Sequence, residues 1–284
     1  MNDLVTIITP SKITSQQDFD TFKKCLDSFY KTFKKYNFKP LHLIRDDSPV
    51  NWHDELYSYL CDLQANFLFL ESGPKGYLPS VLYLFEQIKT PFFFTIADDV
   101  MLCQKNFWQP SIKAMLDNEK LLYVKFGGGY FSSGSSNLHM FQMYDGKVVL
   151  NTNENAILQP TIVDGNVVWC DSLREKNIKN AGWMLTMWNI VGRTKTFQKI
   201  IKITKDRLGS DFGKLKSWDD LTQAVNGWDS NWDRVNLAFL REMYYGWLNC
   251  CSYLYAIGRI NGPEDGKGQN MNDFFRTHTF EVKI

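Results

Sequence analysis

The sequence has no long apolar run. No window approaches the roughly 18 consecutive apolar residues that a membrane-spanning helix needs. The polar start Met1-Asn2-Asp3 also lacks the pattern of a secretory signal. We therefore expect no membrane span and a cytoplasmic protein.

The sequence also has little net charge. It contains 32 Lys and Arg residues against 31 Asp and Glu residues, which gives a formal net charge of +1. General binding to nucleic acid or to an anionic membrane relies on an excess of positive charge. Neither of these is therefore an expected partner.

The six cysteines contain no C-x-x-C pattern. A zinc site or a disulfide framework would require a recognisable spacing of cysteines, often together with histidines. We expect these residues to be reduced, as in a cytosolic protein. They are Cys25, Cys61, Cys103, Cys170, Cys250 and Cys251.

The first 125 residues alternate strand and helix signals. Short apolar runs predict strands at 4–8, 41–44, 66–70, 91–96 and 121–124, and helices are predicted at 18–35, 54–63, 78–88 and 106–116. The first helix has an apolar stripe of Phe22, Leu26, Phe29 and Phe33. Such alternation predicts an α/β fold with a parallel sheet covered by helices on both faces.

The remainder of the chain has a different character. Residues 126–168 are rich in Gly, Ser and Asn, which predicts loops and short antiparallel strands, and from residue 181 the pattern is helical. The segment 232–247 has apolar residues at i+4 spacing, which predicts a helix. The glycine-rich segment 261–272 reads as a loop. No linker or repeat divides the chain, so we expect one domain over 1–284, with halves 1–125 and 126–284.

Two predicted strands end at paired aspartates. Asp98 and Asp99 follow the strand 91–96, and Asp46 and Asp47 follow the strand 41–44. Adjacent like charges at the end of a core strand suggest a cation or polar ligand nearby. The carboxyl ends of the strands are where open α/β sheets bind ligands. The alternatives are a solvated strand end or helix cap for the first pair and an Asx-turn for the second.

These features, in this order, resemble the GT-A glycosyltransferases, which have a Rossmann-like fold, and particularly the inverting enzymes of family 2. The first strand of that family ends near a proline, as in Thr9-Pro10-Ser11, and its second ends in an acidic pair, as in Asp46-Asp47-Ser48. A glycine turn and a helix follow its third strand, as in 73–80. Its fourth strand ends in a D-x-D element, here Ala97-Asp98-Asp99. The match covers residues 4–125 well and the rest loosely.

The resemblance implies a nucleotide-sugar donor, most often a UDP-sugar, and a glycan or other hydroxyl acceptor. It also implies Mn²⁺ or Mg²⁺, which would be held by Asp99 and by the C-terminal His278. Ala97 replaces the first D-x-D acid, which puts the strength of the metal requirement in doubt. The residues implied to bind the donor are Thr9, Pro10, Ser11, Asp46, Asp47, Gly76 and Asp98. A lone histidine such as His278 is also compatible with an ordinary surface role.

Inverting transfer needs a general base that takes the proton of the acceptor hydroxyl. In the family this base is an aspartate at the start of a helix, which implies Asp233, then Asp229, and third the pair that includes Asp220. Helix capping is the alternative role for Asp233. Tryptophans near these acids suit the apolar face of a sugar, although core packing also explains them. The residues implied for the acceptor are Trp183, Trp228, Trp232 and Asp220.

Three other classes of protein remain open. A catalytically degenerate GT-A protein would bind carbohydrate or nucleotide without transfer, which the missing first aspartate allows. A sugar nucleotidyltransferase would carry a glycine-rich basic loop directly after the first strand, whereas residues 10–15 contain no glycine. A receiver-type phosphoacceptor would have its acidic pair after the first strand, not the second.

Overall fold

The computed structural model describes most of the N-terminal half and separate segments of the C-terminal half. The described residues are 1–70, 73, 75–96, 100–102, 106–126, 141–144, 147–150, 161–163, 166–172, 190–226, 239, 243–248 and 254–256. No helix in this part of the chain is long and apolar enough to cross a membrane.

Six α-helices are described. They are α1 Gln16–Lys35, α2 Val50–Asp62, α3 Tyr77–Gln87, α4 Trp108–Asp117, α5 Thr194–Leu208 and α6 Trp218–Asn226. The predicted stripe of α1 is buried, with Phe22 and Leu26 both at 1% exposure or less. Ser15 caps this helix by accepting a hydrogen bond from the backbone N–H of Asp18.

The strands occur in chain order as follows: β1 Val5–Ser11, β2 Leu41–Asp46, β3 Phe67–Phe69, β4 Phe92–Thr95, β5 Val100–Leu102, β6 Leu121–Lys125, β7 Phe141–Tyr144, β8 Lys147–Leu150, β9 Thr161–Val163, β10 Asn166–Ser172, β11 Ile190–Arg193, β12 Tyr244–Leu248 and β13 Leu254–Ala256. The antiparallel pairs β7–β8 and β9–β10 agree with the short antiparallel strands predicted for this region. The remaining small pair is β5–β13.

Nine strands form one sheet in the order β3-β2-β1-β4-β11-β6-β12-β10-β9. The neighbours from β3 to β4 are all parallel, as are β6 and β12, whereas β11 and β10 run antiparallel to both of their neighbours. Most strands thus share one direction. The predicted α/β class is confirmed, with a mostly parallel central sheet and a mixed C-terminal half.

Helices cover both faces of this sheet. Successive side chains of each strand point to opposite faces, and both faces carry apolar side chains that pack against helices. On β4, Phe92 and Phe94 belong to the core that contains residues of α1, α2 and α4, whereas Phe93 belongs to the core formed with α3, α5 and α6. The sheet therefore lies between two apolar layers. Trp218 is 1% exposed in the second layer, so this tryptophan is a core residue.

Two expectations for the C-terminal half are wrong. Residues 190–193 form a strand inside a region predicted to be helical, and 244–248 form β12 where the predicted helix 232–247 ends. The run Tyr-Tyr-Gly-Trp-Leu suits a sheet, and β12 pairs on one side with β6 and on the other with β10. Pairing with two distant strands therefore outweighs the helix-like spacing of Phe239, Met243 and Trp247.

Candidate functional site

The candidate site lies at the carboxyl edge of the parallel strands. The connection after β1 leads to β2 on one side of it, and the connection after β3 leads to β4 on its other side. This reversal of strand order creates the crevice in which α/β sheets bind ligands. In the strand register, Ser11 lies opposite Asp46 and Ile8 lies opposite Thr95. The ends of three strands therefore meet at one place.

The carboxylate of Asp46 is fully engaged within the protein. Oδ1 accepts hydrogen bonds from the Ser11 hydroxyl at 2.7 Å, from the Ser48 hydroxyl at 2.6 Å and from the Ser48 N–H at 3.3 Å. Oδ2 lies 3.0 Å from Nδ1 of His53. The bond to the Ser48 N–H is the Asx-turn that the sequence allows. Asp46, whose side chain is buried, thus holds the β2–α2 turn against the end of β1.

Asp47 connects the end of β2 to the start of α3. Its Oδ1 lies 3.1 Å from Nη2 of Arg45, and its Oδ2 accepts hydrogen bonds from the Gly76 N–H at 2.7 Å and from the Ser80 hydroxyl at 3.2 Å. Its side chain is 11% exposed. A carboxylate at this place also interacts favourably with the N-terminal end of the helix dipole. Asp47 therefore reaches the edge of the candidate cleft while fixing α3.

Glycine is required at the start of α3. Gly76 is the N-cap residue, its φ is 103°, and it has no side chain with which to cap the helix. The carboxylate of Asp47 supplies the missing acceptor for its N–H. Arg45 also donates to the carbonyl oxygen of Gly73 at 3.3 Å and to that of Asp46 at 2.7 Å. The loop before α3 is thus tied to the end of β2.

A second cluster of polar side chains lies beneath the carboxyl edge of the sheet, and His42 at its centre is fully buried. The Thr9 hydroxyl is 2.8 Å from Nε2 of His42 and donates to the carbonyl oxygen of Ile96 at 3.1 Å. The Tyr30 hydroxyl is 2.8 Å from Nδ1 of the same imidazole. Burial lowers the pKa of His42 to about 3 and raises the pKa of Tyr30. The imidazole is therefore neutral at pH 7.

This burial makes the stability of the protein dependent on pH. The pKa of His42 is lower in the folded state than its ordinary value of 6.5, so the unfolded state takes up the proton first as the pH falls. The contribution of His42 is fully present above about pH 6.5 and is lost progressively toward pH 3. At pH 4.5 we expect this contribution to have fallen by about 3 kcal/mol.

Urea unfolding between pH 7.5 and 4.5 measures this loss. The His42→Gln variant serves as the control, because its carboxylates titrate as before while the imidazole is absent. Its free energy of unfolding should fall less steeply with decreasing pH, by the equivalent of about one proton. Parallel pH profiles for the two proteins would contradict a buried neutral His42.

Six of the predicted site residues converge at this edge. They are Thr9, Pro10, Ser11, Asp46, Asp47 and Gly76. Thr9 is 0% exposed, and its hydroxyl donates a hydrogen bond to the carbonyl oxygen of Ile96. This side chain therefore positions the neighbouring backbone. The last described residue of the β4 segment, Ile96, donates its N–H to the carbonyl oxygen of Ile8. The described part of this segment therefore ends beside β1, one residue before Ala97-Asp98-Asp99 in the sequence.

Asp220 lies at the N-terminus of α6. Its Oδ2 accepts hydrogen bonds from the N–H groups of Lys216 at 2.8 Å and Ser217 at 2.9 Å, and the Ser217 hydroxyl accepts from the Asp220 N–H. Partial burial alone raises the pKa of Asp220, but these hydrogen bonds outweigh it and lower the pKa. Reciprocal bonds of this kind are a helix-capping arrangement.

The other predicted site residues lie outside the described part of the chain. These are Asp98, Asp99, Trp183, Trp228, Asp229, Trp232, Asp233 and His278. Within the described residues, no group of three or more His, Cys, Asp or Glu side chains is arranged to hold a metal ion. The carboxylates of Asp46 and Asp47 both accept hydrogen bonds from protein donors. The metal ligands that the resemblance implies, Asp99 and His278, stay a prediction.

Arg45, His42 and His53 are not among the site residues predicted from the sequence. The sequence does contain an indication for two of them. His42 lies within the apolar run 41–44, and Arg45 directly follows this run. A polar side chain at such a buried position needs a partner. The partners themselves, Tyr30 and Asp47 among them, depend on tertiary contacts.

No protein-family model and no curated protein matches this chain. Among solved structures, residues 1–349 of S. aureus TarS in complex with UDP-GlcNAc have a TM-score of 0.48 and 15% identity, over 91% of this chain and 59% of that one. The 4-diphosphocytidyl-2C-methyl-D-erythritol synthase from Anaerococcus prevotii has a TM-score of 0.47 and 11% identity, over 97% of both chains. This chain thus spans less than two thirds of the TarS fragment.

Since both TM-scores are below 0.5, the assignment of a function rests on the residues of this chain. Its described sheet has the order β3-β2-β1-β4, with parallel strands, helices on both faces and an inserted antiparallel strand β11. This is a GT-A-like α/β architecture, as the sequence predicts.

Proposed function

We propose that the chain is a glycosyltransferase that moves a sugar from a nucleotide-sugar, a UDP-sugar in the first instance, to a hydroxyl of a glycan or similar acceptor. The observation that carries this proposal is the convergence of Ser11, Asp47 and Gly76 at the carboxyl ends of β1 and β2, beside the start of α3. Because β4 leads directly into Asp98 and Asp99, nucleoside-binding and diphosphate-binding groups would share one cleft.

In this proposal the nucleoside lies against Asp47. Each carboxylate oxygen can accept more than one hydrogen bond. Oδ2 already accepts from Gly76 and Ser80, whereas the buried Oδ1 beside Arg45 accepts no hydrogen bond among the described residues and has acceptor capacity left. An imide N–H of uracil or a ribose hydroxyl would supply the donor. The buried guanidinium of Arg45 orients the carboxylate for this contact.

The diphosphate would lie near Asp98 and Asp99. Carboxylate oxygens are suitable ligands for Mg²⁺ and Mn²⁺, and an imidazole such as that of His278 is acceptable for Mn²⁺. When bound, the ion would neutralise negative charge on the leaving diphosphate. The role of the chain is to hold these carboxylates at the edge of the sheet and to place the donor beside them.

Transfer with inversion requires a base on the side of the acceptor. Asp233 remains our first candidate and Asp229 our second, on the resemblance stated above. Asp220 ranks third, and its capping bonds to Lys216 and Ser217 supply a structural role for that carboxylate. The acceptor would pack on Trp183, Trp228 and Trp232.

A binding and turnover experiment tests the proposal. Calorimetric titration with UDP, with and without Mn²⁺, should show binding that the metal strengthens, and UDP-sugars incubated with the protein and metal should release UDP. Binding without any hydrolysis or transfer would favour a degenerate GT-A protein. Release of pyrophosphate from a nucleoside triphosphate and a sugar phosphate would favour a nucleotidyltransferase. Absence of nucleotide binding would overturn both enzyme assignments.

The Asp47→Ala variant tests the nucleoside contact. We expect it to weaken binding of uridine and UDP about tenfold or more, because it removes an ionised hydrogen-bond acceptor and also releases Gly76. The loss should be the same with and without metal, since Asp47 faces the nucleoside. Calorimetry on both ligands measures it.

Asn118→Ala is the matched control for this variant. Asn118 also accepts a backbone N–H, that of Lys120, but precedes β6 at the opposite edge of the sheet. Its removal should leave UDP affinity unchanged. Equal uridine affinities for wild type and Asp47→Ala would instead assign Asp47 a purely structural role.

A further inference from the structure

The buried group beneath the candidate site is a continuous chain of hydrogen bonds from helix to strand. It starts at Tyr30 on α1, passes through His42 on β2 and Thr9 on β1, and ends at the carbonyl oxygen of Ile96 after β4. Thr9, His42 and Ile96 are each 0% exposed. Four separate elements thus meet through three side chains.

Only one arrangement of protons fits this chain. The Thr9 hydroxyl has a single proton, which it donates to the Ile96 carbonyl, so it accepts from Nε2–H of His42. The imidazole is neutral because burial lowers its pKa to about 3. Its Nδ1 is therefore unprotonated and accepts from the Tyr30 hydroxyl. Each polar atom has a partner, and the direction of every bond is fixed.

The series of hydrogen bonds ends at Ile96, whose backbone N–H and carbonyl groups both bond to residues of β1. The N–H of Ile96 donates to the carbonyl oxygen of Ile8 at 3.2 Å, and its own carbonyl oxygen accepts from Thr9. Sheet pairing accounts for the first bond, whereas the second requires the polar chain. Ile96 directly precedes Ala97-Asp98-Asp99 in the sequence.

We propose that Thr9, His42 and Tyr30 are positioning residues that fix the carboxyl end of β4. They thereby fix the point from which the polypeptide continues into the segment that contains Asp98 and Asp99. This inference rests on the proposed function. Burying three polar side chains yields little net stability compared with apolar packing of the same shape. A satisfied network does, however, restrict a structure to one geometry. In the proposed function, this restriction would act on the part of the site that takes the diphosphate.

Thr9→Val and Thr204→Val form the matched pair that tests the proposal. Both threonines are 0% exposed and donate to a backbone carbonyl, but Thr204 does so within α5, to Ile200. Valine keeps the shape and removes the hydroxyl in each case. The measured quantities are the dissociation constants of UDP with Mn²⁺ and of uridine without metal, together with the urea midpoint.

We expect Thr9→Val to weaken binding of UDP with Mn²⁺ about tenfold, the effect of one lost positioning bond, while uridine affinity stays within twofold. Thr204→Val should change neither affinity, although it also loses a buried hydrogen bond. Tyr30→Phe breaks only the far end of the chain, so its effect should have the same pattern and be smaller. Wild-type UDP affinity in Thr9→Val at a lowered urea midpoint would overturn the proposal.

A second measurement separates this inference from the proposed function. In the absence of ligand, amide hydrogen exchange in peptides that cover 92–102 should be faster in Thr9→Val than in wild type and unchanged in Thr204→Val. If wild type binds no nucleotide, the proposed function fails and the exchange data still decide the positioning role. Unchanged exchange in Thr9→Val would overturn that role whatever the protein binds.

Discussion

Replacement of Arg45 by methionine should lower the free energy of unfolding by about 3–5 kcal/mol, the usual cost of removing one partner of a buried ion pair. The side chain of Arg45 is 4% exposed, and its guanidinium contacts the carboxylate of Asp47 and the carbonyl oxygens of Asp46 and Gly73. Methionine fills much of the volume but leaves the carboxylate of Asp47 without its counter-charge and the carbonyl groups of Asp46 and Gly73 without this donor. The loss is therefore larger than that of the pair itself.

Urea unfolding measures this loss, and a double-mutant cycle with Asp47→Asn assigns it. Since methionine is harmful mainly through the uncompensated carboxylate, the double variant should be more stable than the sum of the single losses predicts. Lys214→Met is the control, because Lys214 pairs with Asp211 at 2.7 Å while 74% exposed. That change should cost less than about 1 kcal/mol. A similarly small loss for Arg45→Met would contradict the view that a buried Arg45–Asp47 ion pair stabilises the contact between β2 and α3.

The second large effect concerns catalysis. Asp233→Asn should reduce glycosyl transfer by about 10²–10⁴-fold, the usual contribution of a positioned general base. Asparagine resembles aspartate in shape and caps helices about equally well, but it cannot take a proton at neutral pH. Donor affinity and melting temperature should therefore stay close to those of wild type, since the base faces the acceptor.

Asp229→Asn and Asp220→Asn provide the comparison series. Asp220 accepts backbone N–H groups at the start of α6, and asparagine retains an acceptor there, so we expect activity close to that of wild type. If Asp233→Asn keeps near-normal turnover while Asp229→Asn is inactive, the base is Asp229 and the class of reaction stands. If all three variants remain active, the proposed inverting mechanism is wrong.

Most of the N-terminal half follows from its sequence, because five of its strands, β1, β2, β3, β4 and β6, are short apolar runs that alternate with helices. The three-residue β5, which pairs with β13, is not among the predicted strands. The alternating pattern identifies the parallel sheet and, through the rule that ligands bind at carboxyl ends, the edge where Ser11, Asp46 and Asp47 meet. The apolar run ends before the strand does. β2 continues to Asp46 because this residue pairs with Ser11, a contact that lies 35 positions away in the chain.

Two strands of the C-terminal half do not follow from local patterns. β12 has aromatic residues whose spacing fits a helix, and its strand state depends on pairing with β6 and β10. β11 is a four-residue run whose Gly192 allows close approach to Phe93, where a Cβ would lie 2.7 Å from the ring. Long-range pairing decides both elements, and no period in the sequence encodes it.

The same distinction applies within the site. The charges of Asp46 and Asp47 are visible in the sequence, but their different roles are not. Asp46 is enclosed by Ser11, Ser48 and His53, whereas Asp47 reaches the cleft with Arg45 behind it. Which neighbour of a pair faces the ligand depends on the pleat of the strand and on the side chains that cover it.

Hydrogen exchange with and without UDP and Mn²⁺ tests most directly whether a nucleotide binds at the carboxyl edge of β1, β2 and β4. The amides of Ile13, Asp47 and Gly76 bond across this edge, to the Ser48 hydroxyl, the Ser11 carbonyl and the Asp47 carboxylate. We predict slower exchange in peptides that cover 9–13, 46–48 and 73–80 when UDP and Mn²⁺ are bound, and unchanged exchange in α5. Saturating UDP that protects other segments and leaves these three unchanged would contradict the account.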